Sequence, residues 1–325
     1  MTTLADLAEL VRAPAALSVP GDVIAGAAAA GALSPRTPAL AGASVLLYWA
    51  GMAANDWADR RLDAEERPER PIPSGRVTPA AAVGLAAGLT AAGVGLAAAV
   101  GGRRAAALAV PLAATIWGYD LLAKNTAAGP AVMAACRGLD VLLGASGGRL
   151  TRALPAAATV AAHTWTVTAL SRREVTGADA TLPMRTLAGT ALVAASAAVA
   201  APGARSAAAR SAEQAGVTDR AGVTDRAEAV GEIGVSAGRG RMAGIAAVLP
   251  AVLAGWYAAR YGAAQAQVVR DPSAGRVRAA VGAGITGLPA LQGALTARGG
   301  AGLLGVAVAA AAPLGRRLAR KVSPT

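Results

Sequence analysis

The sequence predicts an all-α, polytopic membrane protein, a bundle of nine or ten transmembrane helices. Three observations carry this expectation. Of 325 residues, 54% are hydrophobic and only 15% are charged, against about a quarter charged in an ordinary soluble domain. The charges are bunched, and no ionisable side chain occurs from Val77 to Gly102, a run longer than the roughly 20 residues that a helix needs to cross a bilayer. Many of the apolar tracts are rich in Ala and Gly rather than Leu, which suits helices that approach one another closely within a membrane.

The elements follow in order. Residues 1–12 read as a short amphipathic helix at the membrane surface. Apolar segments come next at about 15–33, 38–55, 78–101, 104–122, 128–147, 153–171, 184–203, 242–260, 279–297 and 300–315. Each is near spanning length, and a helix is the natural spanning form because it satisfies its own backbone polar groups. Residues 204–240 break the pattern. They are polar and Gly-rich and carry the tandem repeat GVTDRA–GVTDRA at 216–227, which reads as a disordered, low-complexity loop with nothing to bury. The chain is otherwise expected to form a single transmembrane domain, 1–325.

Loop charge sets the expected orientation. Arg60, Arg61, Arg67, Arg70 and Arg76 follow the second span, Lys124 follows the fourth, and Arg172, Arg173 and Arg185 follow the sixth. These loops share one side, which the excess of Lys and Arg on cytoplasmic loops makes the cytoplasm. Arg12 places the N-terminus there too; Arg316, Arg317, Arg320 and Lys321 join it only if there are ten spans. The net charge of +12 is accounted for by this placement, and aromatics are only 3% of residues, too few for base stacking, so nucleic acid is not expected as a partner. Cys136 is the single cysteine, which excludes an internal disulfide and a Cys-based zinc site. No cleavable signal peptide is expected at the N-terminus.

Chemistry concentrates where the second span ends, at Asn55-Asp56-Trp57-Ala58-Asp59-Arg60-Arg61-Leu62-Asp63. Asn55, Asp59 and Asp63 recur every four residues, a row of about 12 Å along one helix face. Acids beside a span are costly unless a cation meets them. Mg²⁺ suits the role, being a hard cation that takes carboxylates together with phosphate oxygens; internal pairing with neighbouring basic residues is the alternative. Arg67 and Arg70 are placed to hold phosphate directly.

The stretch NDWADRRLDAEERPERPIPSG at 55–75 resembles the first aspartate-rich motif of the UbiA family of intramembrane prenyltransferases, N-D-x-x-D-x-x-x-D followed by an Arg-Pro-x-x-Ser-Gly element, met here by Arg70, Pro71, Ser74 and Gly75. Further matches appear in order. Arg12-Ala-Pro14 resembles the family's R-x-P, Tyr119 and Lys124 its Tyr…Lys pair, and Arg137 with Asp140 and Gly144 its R-G-x-N-x-x-x-G segment, with Asp in place of Asn. The resemblance implies about nine spans around a central cavity open to lipid. It implies that Asn55, Asp56, Asp59 and Asp63 bind Mg²⁺ and an isoprenoid diphosphate, with Lys124, Arg67, Arg70, Arg137 and Asp140 as substrate contacts and Tyr119 beside the allylic carbon. Asp59, Asp63, Lys124 and Tyr119 are its catalytic residues.

The family's second motif has two aspartates four apart, followed by Thr-Leu-Pro. Here Glu174 replaces the first, Ala178 stands at the second, and Thr181-Leu182-Pro183 is intact. Asp179 lies five residues from Glu174, about 140° away on a continuous helix. Glu174 and Asp179 complete the metal set if a turn at Gly177 brings Asp179 in. Alternatively, Arg172 and Arg173 contact phosphate in the metal's place, or the usual transfer is lost. The string from Ser171 to Gly177 resembles an EboC-like branch of UbiA-related proteins.

Asp22 within the first span is expected either to face a polar cavity or to make a packing contact. His163 is expected to be a hydrogen-bonding structural residue, and Trp49, Trp57, Trp117 and Trp256 to anchor span ends, Trp117 alternatively lining a prenyl tail. The function expected is Mg²⁺-dependent transfer of a prenyl group from a polyprenyl diphosphate to a small aromatic acceptor, by a multi-pass protein of the cell membrane with its acidic loops in the cytoplasm. The alternative is a non-catalytic or repurposed protein of the same kind that binds a lipid diphosphate or assists metabolite export. A transporter built from repeated halves is disfavoured, because the spans show no internal repeat.

Overall fold

Thr3 opens the first helix. Its hydroxyl accepts from the Asp6 N–H while the Asp6 carboxylate accepts from the Thr3 N–H, a reciprocal cap that fixes the surface helix α1 (Leu4–Leu10). The computed structural model describes residues 2–179, 181–199 and 247–311. After a 3₁₀ turn at Ala13–Ser18 come α2 (Pro20–Ala30), α3 (Thr37–Glu66) and α4 (Pro79–Gly118), the last running into a π turn at Tyr119–Ala123. Then follow α5 (Gly129–Gly144), α6 (Leu150–Ser171) and α7 (Thr181–Ala198). Helix α8 (247–257) continues through a π turn at Ala258–Gly262 and Ala263–Arg270, ahead of α9 (Ala274–Arg298) and α10 (Gly302–Ala311). Proline sits in the first turn of α2, α3, α4 and α5, where its missing N–H costs nothing. Among the described residues there is no strand.

Every apolar segment expected from the sequence thus carries a helix. The predicted 204–240 loop and the C-terminal cations fall outside the described residues. Helices α3 and α4 are long and apolar enough to cross a membrane on length and composition. The first segment is shorter than expected, a 3₁₀ turn and an eleven-residue helix rather than one span. Helix α4 is two arms. Gly102 adopts φ 66°, ψ −159°, a conformation open to glycine, and the Trp117 indole N–H donates to the Thr90 hydroxyl at 3.1 Å. A bond between these positions requires the arms to fold back on each other.

The chain consequently runs back and forth between two ends. At one end α1, the loops at 67–78, 124–128 and 172–179, and the turn at 271–273 are stitched together. Arg76 pairs with Asp6 at 2.8 Å and Glu9 at 2.7 Å, Arg172 donates to the Thr126 carbonyl, and the Ala178 N–H donates to the Pro272 carbonyl at 2.9 Å. The motif residues of α3 lie at this end.

Small residues set the packing. A Cβ on Gly26 would lie 1.8 Å from the Val141 carbonyl oxygen, and one on Gly144 would lie 2.0 Å from that of Val23. The α2 and α5 backbones therefore touch, the close approach that small residues allow. A polar knot ties the same helices to α9. Asp22 is wholly buried, 2.8 Å from Arg137 Nε, and its other oxygen accepts from Gln292 Nε2 at 2.6 Å. Asp22 is thereby a packing contact. His163 is likewise structural, its Nδ1 2.9 Å from the Tyr257 hydroxyl in a core shared by α6, α8 and α9.

Candidate active site

The acidic row at the end of α3 meets cations from three other segments. Lys124, just past the π turn, pairs with Asp59 at 2.5 Å and lies 3.4 Å from Asn55 Oδ1. Asn55 Nδ2 donates to the second Asp59 oxygen at 3.3 Å. Arg12 donates to Asp56 at 2.9 Å, and Arg70 bridges Asp63 at 2.7 Å and Asp56 at 3.5 Å. The acids of the row are thus paired within the protein.

The row also divides in two. The expected single face of Asn55, Asp59 and Asp63 is corrected: Asp63 shares Arg70 with Asp56, while Asn55 and Asp59 share Lys124. The helical period explains this. Steps of four drift by about 40° each, so Asp63 is about 80° from Asn55, whereas the seven residues from Asp56 leave only about 20°. Asp56 and Asp63 are sealed, their side chains 6% and 5% exposed, whereas that of Asp59 is 25% exposed. Asn55 and Asp59, an amide oxygen and a carboxylate, are the accessible hard-oxygen donors of the row, of the type Mg²⁺ takes, while Asp56 and Asp63 are turned to Arg70.

A cavity of about 120 Å³ lies between α3, α4 and α5, its lining on α3 ending at Met52, within one turn of Asn55. Its α3 wall is Ser44, Leu47, Tyr48, Gly51 and Met52, on the side of the helix that Asn55 extends. Tyr119 and Asp120 of the π turn line it, as do Cys136, Arg137 and Asp140 of α5. Arg137 and Asp140 therefore stand at the cavity and not in the ion-pair row. Arg137 holds Asp22, and Asp140 accepts from the Ser44 hydroxyl at 2.5 Å. Asp120 was not singled out from the sequence, although it is an acid inside an otherwise uncharged tract from Ala105 to Ala123. Arg12, which sets the expected orientation and opens the R-x-P match, also holds Asp56.

The second motif does not join the first. Gly177 makes the turn, at φ 80°, but Asp179 goes to the start of α7. Its Oδ1 accepts from the N–H groups of Leu182 at 2.8 Å and Thr181 at 3.0 Å. These bonds hold its carboxyl below the usual range, the Leu182 N–H chiefly. Burial pushes the Glu174 carboxyl up, and the Glu174 main-chain carbonyl accepts from Arg278 at 2.8 Å. Ala178 packs against the apolar core. Among the described residues no group of three or more His, Cys, Asp or Glu side chains gathers to hold a metal. Arg172 and Arg173 instead border an open hollow of about 440 Å³ with Pro130 and Leu182. Arg67 is exposed.

The model of the UbiA prenyltransferase family matches residues 18–204, more than half of the chain. The chain belongs to the UbiA family. The matched region takes in the acidic row, Lys124, both cavities and the second motif. Curated relatives include digeranylgeranylglyceryl phosphate synthases. That of Methanothrix thermoacetophila is 42% identical over 80 residues, 24% of this chain and 30% of the relative. That of Natronomonas pharaonis is 44% identical over 85 residues, 26% of this chain and 31% of the relative. These matches span about a third of the relatives' length. A solved structure described as digeranylgeranylglyceryl phosphate synthase in membranes superposes with a TM-score of 0.56 at 14% identity, covering 88% of this chain and 98% of that one. Its likeness concerns the fold, which here is the helical bundle of a UbiA family member.

Proposed function

We propose that this UbiA family member transfers a prenyl group from an isoprenoid diphosphate to a small lipophilic acceptor within the membrane. The observation that carries the reading is the contiguity of two unlike environments. A row of oxygen donors and cations ends α3 within one turn of a largely apolar cavity, as a ligand with a diphosphate head and a hydrocarbon tail requires. Lys124, Arg70 and Arg12 would stabilise charge that develops on the departing diphosphate. Asn55 and Asp59, with Asp56 and Asp63 behind them, would hold Mg²⁺, which when bound adds positive charge beside phosphate oxygens. Tyr119 borders the cavity where the allylic carbon would lie. Phenols are one acceptor class; the relatives' name points to another, the alcohol of a glyceryl phosphate. The basic loops that collect beside α1 suit the cytoplasmic side.

One observation favours a second reading, a protein that binds a lipid diphosphate without turning it over: Asp179 is engaged as a helix cap and Ala178 is packed in the core. One experiment separates the two. Membranes containing the protein are incubated with labelled prenyl diphosphates of several lengths and with phenol and alcohol acceptors. Mg²⁺-dependent diphosphate release and a prenylated lipid, both lost in Asp59→Ala, are expected. Retained donor binding with no turnover for any donor would leave the binding reading.

A further inference from the structure

Asp120 stands apart from every other acid of the site. It is only 4% exposed and lines the inner cavity. The cations nearest it are committed elsewhere: Lys124 is held by Asp59, and Arg12 by Asp56. Among the described residues no side chain forms an ion pair or hydrogen bond with its carboxylate. A buried polar group without a partner is costly, and such a group beside a cavity calls for a ligand atom. The backbone around it is also unusual, since Asp120 belongs to the π turn Tyr119–Ala123, a distortion frequent at functional sites. A Cβ on Gly51 would lie 3.7 Å from Asp120 Oδ2, which sets the carboxylate against α3 one turn, about 6 Å, inward of Asn55.

In its ionised form a carboxylate is a pure acceptor, so a ligand that faces it in that form must bring a hydrogen-bond donor. Met52, Ile116 and Met133 of the same lining suit a lipophilic ligand, and a hydroxyl on such a ligand supplies donor and nucleophile in one atom. Resting on the transfer proposed above, we infer that Asp120 is a catalytic residue on the acceptor side, and that the acceptor is a lipophilic alcohol or phenol whose O–H points at its carboxylate. The step balances. The hydroxyl oxygen forms a bond to the allylic carbon, the bond from that carbon to the diphosphate oxygen breaks with its electron pair on the diphosphate, and the hydroxyl proton passes to Asp120.

The test has two arms, run on the full chain in membranes. In the first, Asp120→Asn is compared with wild type for donor retention and for prenyl transfer to hydroxyl acceptors. Transfer is expected to fall about 100-fold or more, the scale of a lost general base, with donor retention within about twofold. In the second, wild-type protein is treated with a lipophilic carbodiimide, which labels buried carboxyl groups, and the label at Asp120 is read by mass spectrometry. 1-Dodecanol should slow that labelling and n-dodecane should not. Wild-type transfer with Asp120→Asn equally fast would overturn the inference and leave the transfer reading standing. Equal labelling with dodecanol and dodecane would overturn it as well, even if the variant does not fold. Protection by dodecanol with no wild-type transfer to any acceptor would overturn the transfer reading and the proton step together, and support Asp120 as a hydroxyl-binding group.

Discussion

Replacing Arg70 with Ala removes the one cation that serves two sealed carboxylates. The guanidinium is 19% exposed and lies 2.7 Å from Asp63 and 3.5 Å from Asp56, whose side chains are 5% and 6% exposed. Asp56 keeps Arg12 at 2.9 Å, whereas Asp63 keeps no cation among the described residues. Breaking a buried pair from one side costs about 3–5 kcal/mol, and the surviving Arg12 contact argues for the lower end. At about 2–4 °C per kcal/mol for a chain of a few hundred residues, a loss of about 3 kcal/mol lowers the melting midpoint by about 6–12 °C. The protein carries its own reporter, because Cys136 is its only cysteine and is 6% exposed. A thiol-reactive dye in detergent therefore reads unfolding directly. Mg²⁺ is expected to recover part of the loss in the variant, and NaCl of equal ionic strength is not. A midpoint within about 2 °C of wild type, under 1 kcal/mol, would refute the view that Arg70 neutralises this half of the row.

Two further outcomes follow from the packing and from α1. Gly26→Ala drives a methyl group into the Val141 carbonyl and should cost about 1–3 kcal/mol or more, read by the same dye; Gly84→Ala, which meets open space, is the control and should leave the midpoint unchanged. Asp6 is held down to a pKa of about 2, by Thr3 first and Arg76 after it. A depressed carboxyl contributes stability that is present above its unfolded pKa, near 3.9, and is lost as pH falls through the folded value. Release of α1, followed by protease access near Arg12, should therefore set in between about pH 4 and pH 2. In Asp6→Asn α1 should be loose at neutral pH already.

Hydropathy located the long apolar helices among the described residues because burial in lipid acts on each segment alone; it did not mark Ala263–Arg270. It carries no rotational phase, and so the acidic row looked like one face when Asp63 in fact turns toward Arg70. The phase depends on partners distant in sequence, such as Arg12 for Asp56, and local spacing holds no record of them. Asp179 was legible in another sense. An acid two residues ahead of Thr181-Leu182-Pro183 is a helix-start signal, and capping is the role it takes. Asp120 was overlooked for the opposite reason, since a single acid at the end of an apolar tract resembles a loop residue until the π turn directs it inward.

The bond from Gln292 to Asp22 spans 270 residues, and this has a consequence for how the protein is made. The acid enters the bundle with α2, near the start of synthesis. Its cation arrives with α5, and its amide partner comes only when α9 is complete. Until then the preceding part of the chain, which includes the family match at residues 18–204, holds a wholly buried acid with one of its two partners missing. The last helices thus act as a late lock on the first. A chain cut short before Gln292 should be recognised by quality control as unfinished, even with every residue of the acidic row already in place.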